Sequence, residues 1–275
     1  MSGNGIVTGR AKGRVTLRIR SIEPYTSEFT AGQIGVIADI AEQYGSGAAH
    51  VTPRQTIEVP HIGIDELPVI ERLLAGHGLS AGSTGQYLRN VAACSMWCLY
   101  NVSPMRGAAQ KLNSLLSEKT LPGKTNISLS GCDFSCVRSR TSDIGVIARA
   151  LIVKTEKPCK QCSLCVKEPL GCQADAITLT REGVHIDRRK CVRCGFCSGI
   201  CRPGTIAVKA REFDIFVGGN GGVKPREALL HCTVPSEEDA LELIGKILDR
   251  YSSLAEKGER IGDLIERAGM GWLED

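Results

Sequence analysis

The sequence predicts an α+β chain of two units, the second interrupted by an inserted cysteine-rich segment. Three observations predict it. Strand and helix patterns alternate over residues 14–78. Two cysteine pairs of equal spacing stand within 89–136. Eight of the thirteen cysteines then crowd into 156–209, after which a strand-like pattern resumes. On this reading the units are 1–88, and 89–155 together with 210–275, with 156–209 inserted.

A chain of 275 residues can bury a good core in more than one module. Its 34 basic and 30 acidic side chains nearly balance and aromatics make up 4%, so neither charge nor stacking surface points to nucleic acid. No apolar run approaches a membrane span, and MSGNGIVTGRAKGR lacks the apolar stretch of a secretory signal. The composition predicts a soluble, cytoplasmic protein. Clustered cysteines in a reducing compartment point to metal rather than to disulfides.

The first residues are expected to be loose. In RVTLRIR (14–20) Val15, Leu17 and Ile19 alternate with Arg14, Thr16, Arg18 and Arg20, a half-buried strand. Thr30 caps a helix through IGVIADIAEQYG, which stops at Gly45 and Gly47. Residues 48–62 read as two strand pieces broken at Pro53, and Asp65 as the cap of a second helix, ELPVIERLLAGHG. This β-α-β-α order suggests a ferredoxin-like layer with helices on one face. A helix follows over about 103–119, then LPGK and a short apolar strand, NISLS. DIGVIARALIV (143–153) is either a strand or a buried helix, which periodicity alone does not decide. The inserted segment holds a hairpin, AITLTREGVHID, turning at Glu182-Gly183. Beyond it FDIFVGGNGGVKPREALLHCTV is strand-like, a long amphipathic helix runs from Ser236 to about Leu254, and ERIGDLIERAG forms a shorter one.

Cys94/Cys98 and Cys132/Cys136 each have three residues between the thiols. Four thiolates arriving from two loops can enclose one iron–sulfur cube, and zinc would use the same atoms. The inserted segment is more specific. Cys191, Cys194, Cys197 and Cys201 follow the C-x2-C-x2-C-x3-C run, with Pro203 soon after, of bacterial two-cluster ferredoxins. In that arrangement the last cysteine of each run serves the other cluster. Cys172 would therefore join Cys191, Cys194 and Cys197, and Cys201 would join Cys159, Cys162 and Cys165. The first run departs from the pattern by having six residues, VKEPLG, before Cys172. A pair of zinc knuckles is the weaker alternative.

With these motifs assembled, the chain resembles the siroheme-dependent sulfite and nitrite reductase family, above all its small ferredoxin-containing members, over most of its length. HVTPRQ (50–55) is similar to that family's arginine loop, RNVAAC (89–94) to the next loop, and LPGK with SGCDFSC and DIG (121–145) to its lysine strand and second cysteine pair. FVGGNGG (216–222) resembles the glycine-rich strand end beside the macrocycle.

The resemblance implies a ferredoxin-like half-domain, then a siroheme/[4Fe–4S] α/β domain interrupted by a bacterial-type 2x[4Fe–4S] ferredoxin domain. It implies one siroheme and three [4Fe–4S] clusters, with Cys94, Cys98, Cys132 and Cys136 holding the siroheme-coupled cluster and Cys136 shared with the heme iron. Arg54, Arg89 and Lys124 would bind the substrate anion. Asn126, Arg138, Arg140, Gly218, Gly219, Asn220 and Gly221 would add cofactor contacts. The implied reaction is six-electron reduction of sulfite, or a similar small anion, to sulfide.

Two departures bear on that reading. The family spaces its first cysteine pair more widely. It also has a second lysine where this chain has Asn126, which brings a hydrogen bond but no charge. Arg138 and Arg140 are the nearby residues that would compensate. The alternatives are a siroheme protein acting on nitrite or another small molecule, and a non-catalytic electron-transfer subunit.

Taken singly, Arg54, Arg89 and Lys124 would be ordinary structural or surface charges. Cys232 reads as a small buried hydrophobe. The glycines at 218–222 lack the strand–GxGxxG–helix context of a dinucleotide site, so electrons are expected from reduced ferredoxin or a redox partner subunit. A single half-domain also suggests a homodimer or pairing with a related subunit.

Overall fold

A computed structural model describes residues 5–9, 11–100, 105–116 and 119–274. In the N-terminal unit β1 (Ile6–Thr8) pairs antiparallel with β2 (Arg14–Ser21), so part of the stretch expected to be loose is a sheet edge, while residues 1–4 lie outside the described ones. Helix α1 (Ala31–Gln43) starts at Thr30, whose hydroxyl accepts from the Gln33 N–H while the Gln33 side-chain oxygen accepts from the Thr30 N–H. Strands β3 (His50–Val51) and β4 (Ile57–Gly63) flank the loop that carries Pro53 and Arg54. Helix α2 (Leu67–Ala75) follows a 3-10 turn, Ile64–Glu66. Asp65 lies inside that turn and is not the expected cap; Pro68 in the first helical turn has no N–H to satisfy. β5 (Leu79–Ala81) returns to β2.

β2 is the centre of this antiparallel sheet, with β4 and then β3 on one side and β1 and β5 along the other. Leu17, Ile19, Val59 and Ile62 meet Ile37, Ile40, Ile70 and Leu74 of the two helices. The opposite face of β2 is not solvated, as strict alternation had suggested. Arg18 is buried, held by Glu58 and the Ser83 carbonyl, and Arg20 is buried with its Nε donating to Ser80.

The second unit contains β6 (Ala92–Ala93), α3 (Arg106–Leu116), β7 (Ile127–Ser130) and β8 (Ile144–Lys154). The helix expected over 103–119 is α3; residues 103–104 and 117–118 lie outside the described ones. The stretch left open at 143–153 is the strand β8. Its apolar run is continuous because both faces are covered, which removes the alternation that marks a half-exposed strand.

Within that segment lie β9 (Ile177–Thr180), β10 (Gly183–Ile186) and the short helix α4 (Phe196–Ile200). Then come β11 (Ile206–Val217), β12 (Leu229–Val234), α5 (Glu237–Leu254) and α6 (Ile261–Ala268). The main sheet has the order β12-β11-β8-β7-β6, antiparallel as far as β8 and parallel from β8 to β6. Helices α3, α5 and α6 cover one face through Leu112, Ile244, Ile247, Tyr251 and Leu264 over Leu129, Val146 and Ile215. Cys232 is half-buried on the edge strand β12, less enclosed than expected.

β8 and β11 pair from Ile144–Val217 out to Lys154–Ile206, with a register shift between Val208 and Ala210. The cysteine-rich residues hang from the far end of this ribbon. In the β9–β10 hairpin Thr180 pairs with Gly183, so the turn residues are Arg181 and Glu182, one position earlier than expected. A small core of Ala150, Ile152, Cys165, Ile177, Val184 and Ile206 fills the space between hairpin and ribbon.

Candidate functional site

β6 and β7 are parallel neighbours with Ala93 opposite Leu129, so both chains leave the sheet at the same end. Cys94 thereby arrives beside Gly131, whose N–H donates to its Sγ at 3.3 Å. Cys98, Cys132 and Cys136 gather around it, Cys132 buried and the other two exposed. Burial pushes the Cys94 thiol up and that of Cys132 to about 12, and neighbouring thiols add to both shifts. Such thiols are uncharged at neutral pH unless a metal takes the proton's place.

Two cavities in the cysteine-rich segment are each lined by four thiols. One is bounded by Cys172, Cys191, Cys194 and Cys197, and the other by Cys159, Cys162, Cys165 and Cys201; Ile200 lines both. Each cavity thus takes three cysteines from one run and the fourth from the other. The longer VKEPLG stretch is absorbed by a local turn in which the Cys172 N–H donates to the Cys165 carbonyl at 3.0 Å. Cys197 is pushed up to about 12 by burial and by Cys194, Cys191 and Cys172. Among the described residues no group of three or more His, Cys, Asp or Glu closes as a single metal ion requires.

The three thiol sets stand in a row. The set around Cys194 adjoins the first set: the Asp133 N–H donates to the Val192 carbonyl and the Ala150 N–H to that of Arg193, and Cys194 contributes to the Cys132 shift. Tyr100 sits between them, edge-on to Phe134 at 6.0 Å and to Phe196 at 5.0 Å. The set around Cys162 is the outermost.

On the other side of the first set a cleft of about 180 Å³ opens between the two units. Arg54, Lys124, Asn126, Arg138, Asn220 and Arg260 line it, with Gly221 and Gly222 at one wall. The Arg54 loop is fixed across the unit boundary. Gln55 exchanges side-chain hydrogen bonds with the Ala93 N–H and carbonyl, and Asn90 donates to the Arg54 carbonyl at 2.9 Å. Arg89 lies behind the lining, buried, its Nη1 donating to the Tyr87 carbonyl.

The electrostatics of this cleft are one-sided. Burial lowers the pKa of Arg89 to about 10, and the charges of Arg54, Arg18 and Arg260 add to the shift. Arg54 and Lys124 are lowered for the same reasons, burial first and neighbouring guanidiniums after it. Four buried polar atoms here, Arg54 Nε, Arg89 Nε, Asn90 Oδ1 and Asn126 Oδ1, have no hydrogen-bond partner. Buried donors and acceptors left unmade are costly, so this cluster is suited to a polyoxygen anion that is also able to donate or to hold protons.

Arg140, Gly218 and Gly219 do not reach the cleft lining. Arg140 pairs with Asp133 and Glu227 and stacks over the Phe216 ring at 4.9 Å. Gly218 has φ +83 and its N–H donates to the Asp143 carbonyl, and a Cβ at Gly219 would stand 2.6 Å from the Ser142 carbonyl oxygen. These two glycines let the strand end pack onto residues 141–143 and deliver Asn220 to the cleft.

Sequence reasoning missed Arg260 and Asn90. Arg260 donates through Nε and Nη2 to the fully buried Asp143 carboxylate at 2.9 and 2.6 Å and through Nη1 to Asn220 at 2.9 Å. Asp143 in turn accepts from the Asn126 N–H at 2.8 Å. A faint signal existed: Arg260 occupies the N-cap position of α6, where Asp263 accepts from its backbone N–H and leaves its side chain free to turn back.

Residues 9–77 match the profile of the nitrite/sulfite reductase ferredoxin-like half domain, and residues 84–275 that of the nitrite and sulphite reductase 4Fe-4S domain. An uncharacterized protein of Methanocaldococcus jannaschii is 33% identical over 93% of this chain and 88% of its own length. The coenzyme F420-dependent sulfite reductase of that organism is 29% identical over 98% of this chain, which spans only 43% of that longer protein. The crystal structure of dissimilatory sulfite reductase I superposes with a TM-score of 0.73 at 20% identity, over 94% of this chain and 68% of that one, a likeness of fold. No helix among the described residues is long and apolar enough to cross a membrane.

Proposed function

The chain belongs to the nitrite and sulphite reductase family, and from that premise we propose that it reduces sulfite to sulfide at a siroheme coupled to a [4Fe–4S] cluster. Two further [4Fe–4S] clusters, held by residues 156–209 as an inserted ferredoxin-type domain, relay the electrons. The observation that carries this reading is the cleft, where cations with unpartnered buried atoms converge beside a set of four thiols.

The residues fit the group. Siroheme carries many carboxylates, which guanidinium forks and ammonium groups recognise. Arg54, Lys124, Arg138 and Arg260 would hold those carboxylates and the substrate anion, with Asn126, Asn220 and the Gly221 backbone beside them and the Arg89 charge behind the wall. Cys94, Cys98, Cys132 and Cys136 would hold the coupled cluster. Cys136 would be the shared thiolate, since the next two residues line the cleft. When bound, siroheme supplies an iron that passes electrons singly to the sulfur of sulfite.

The side chains do the rest. Arg54 binds the anion's oxygens at the cleft wall, and Arg89, buried behind the lining, adds its charge to a cleft that desolvation makes strongly attractive. Lys124 Nζ holds a proton whose affinity is already reduced by burial and by Arg54 and Arg260, so it passes readily to an oxygen leaving as water. Asn126 orients the anion without providing an acid. A second copy or a related subunit would complete the site, because the chain supplies one half-domain.

Anaerobically prepared protein should show siroheme absorption, iron and sulfide for three clusters, and turnover of sulfite with reduced methyl viologen. No siroheme absorption, with iron for the two relay clusters alone, would overturn the reading. A second reading, nitrite or another small molecule as substrate, is favoured by Asn126 alone; nitrite turnover well above that of sulfite decides for it.

A further inference from the structure

Residues 156–209 contain ten lysines and arginines against five acidic residues, a net +5, whereas the whole chain carries +4. The remainder of the molecule is therefore slightly acidic, and the positive charge is concentrated on one projecting segment. Five of those ten basic residues flank the outermost thiol set, joined there by Lys154 from the end of β8, while Arg188, Arg189, Lys190 and Arg193 stand beside Cys191 of the inner set. Lys160 lies between Cys159 and Cys162 in sequence, Arg202 follows Cys201, and Lys167 is two residues past Cys165, all three exposed. Lys157, exposed as well, reaches toward Gly204, and the Lys154 ammonium lies near Gly183, which itself packs against Cys159. Arg181 is exposed in the hairpin turn. Only Glu156, Glu168 and Glu182 stand against these six. A second, independent feature marks the same place: Cys162 is exposed, so the outer thiol set reaches the surface here.

We propose that this lysine-rich face is the docking surface for an acidic one-electron carrier protein, which delivers its electron to the outermost cluster at Cys162. The inference rests on the reading above that Cys159, Cys162, Cys165 and Cys201 hold a [4Fe–4S] cluster. One electron leaves the reduced centre of the carrier, which is oxidised by one unit, and the outer cluster is reduced by one. Opposite charge steers the encounter and orients the carrier's centre toward the exposed ligand. A nucleic acid would also be drawn to a basic face, but it has no use for a redox centre at the surface and this face presents no aromatic platform.

The test uses the full chain with its clusters, a reduced acidic [2Fe–2S] ferredoxin as donor, and the methyl viologen radical cation as a donor of opposite charge. Cluster reduction is followed by stopped flow between about 0.01 and 1 M salt, over which the screening length falls from roughly 30 to 3 Å. The ferredoxin rate should fall by about tenfold or more as salt rises. K157E/K160E/R202E should lower the low-salt ferredoxin rate similarly and flatten its salt dependence, while the viologen rate stays level or rises. K160Q/R202Q should give an intermediate effect.

A ferredoxin rate indifferent to salt and to charge reversal overturns the proposal. So does a loss shared equally by both donors, which would mean that the variants damage the cluster or its potential. Protein that binds no iron at these cysteines is a separate outcome, seen in metal analysis before any kinetics, and it refutes the cluster assignment itself.

Discussion

Lys124 and Asn126 sit two residues apart in the loop that leads into β7 and lines the cleft, and they divide its chemistry. If Lys124 delivers protons, Lys124→Met should lower kcat/KM for sulfite by roughly 10²–10⁴ while siroheme absorption persists; a normal rate with the cofactor bound would remove Lys124 from the machinery. Asn126→Lys should raise sulfite turnover if the pocket only lacks charge, and an unchanged rate would mean that the natural substrate is another one. Asp143 anchors the cleft from beneath. Burial pushes its carboxyl up, while the Arg260 guanidinium pulls the other way. Asp143→Ala leaves the half-buried Arg260 unpaired and should cost about 3–5 kcal/mol in denaturant unfolding; a change below about 1 kcal/mol would show that solvent already compensates Arg260. Arg54 and Lys124 were legible because each stands in a recognisable motif. Arg260 was not, because its place at the N-cap of α6 is the sole local hint that it turns into a cleft rather than toward water.

At the scale of elements, sequence patterns located longer half-exposed elements, as in α1 with its Thr30 cap and α5 with Ser236, and missed the three-residue edge strand β1. They failed where an element was enclosed. β8 lacked alternation because the helices and then the cysteine-rich segment cover one of its faces while Ile147 on the other packs with Phe216 and Ala228, and Arg18 and Arg20 looked solvated because their cover comes from residues far along the chain. The last helix, α6, brings Arg260 to the cleft and is tied down by Glu259 and Arg267 at 2.8 Å. Arg267 holds the Glu259 carboxyl down to about 2, below its usual 4.5. With the folded value depressed, the contribution is complete above pH 4.5 and is lost as pH falls toward 2. Glu259→Gln should therefore flatten the acid limb of the melting profile across that window. An acid limb identical to wild type would show that the ion pair adds nothing.

The whole molecule divides into two helix-covered cores, one in each unit, and a projecting segment whose own core is small and includes its cysteines. Burial pushes the Cys165 and Cys197 thiols up, so if the segment holds the proposed clusters, their binding and its local folding are coupled. Cluster-stripped protein should be cut by trypsin first within the cysteine-rich segment, at Arg181 or at Arg188–Lys190, while helical circular dichroism is largely kept. Equal protease resistance with and without clusters would mean that the segment holds its shape unaided. One detail of the ribbon sets how this segment is aimed. The register shift at Lys209 is an extra residue on β11, and such a residue bends a ribbon and tightens its twist. Deleting Lys209 would straighten the arm like a crane jib lifted off its load. If the proposed clusters are there, the outer one would swing away from the cleft with its metal content intact, and electrons would load at the tip without crossing to it.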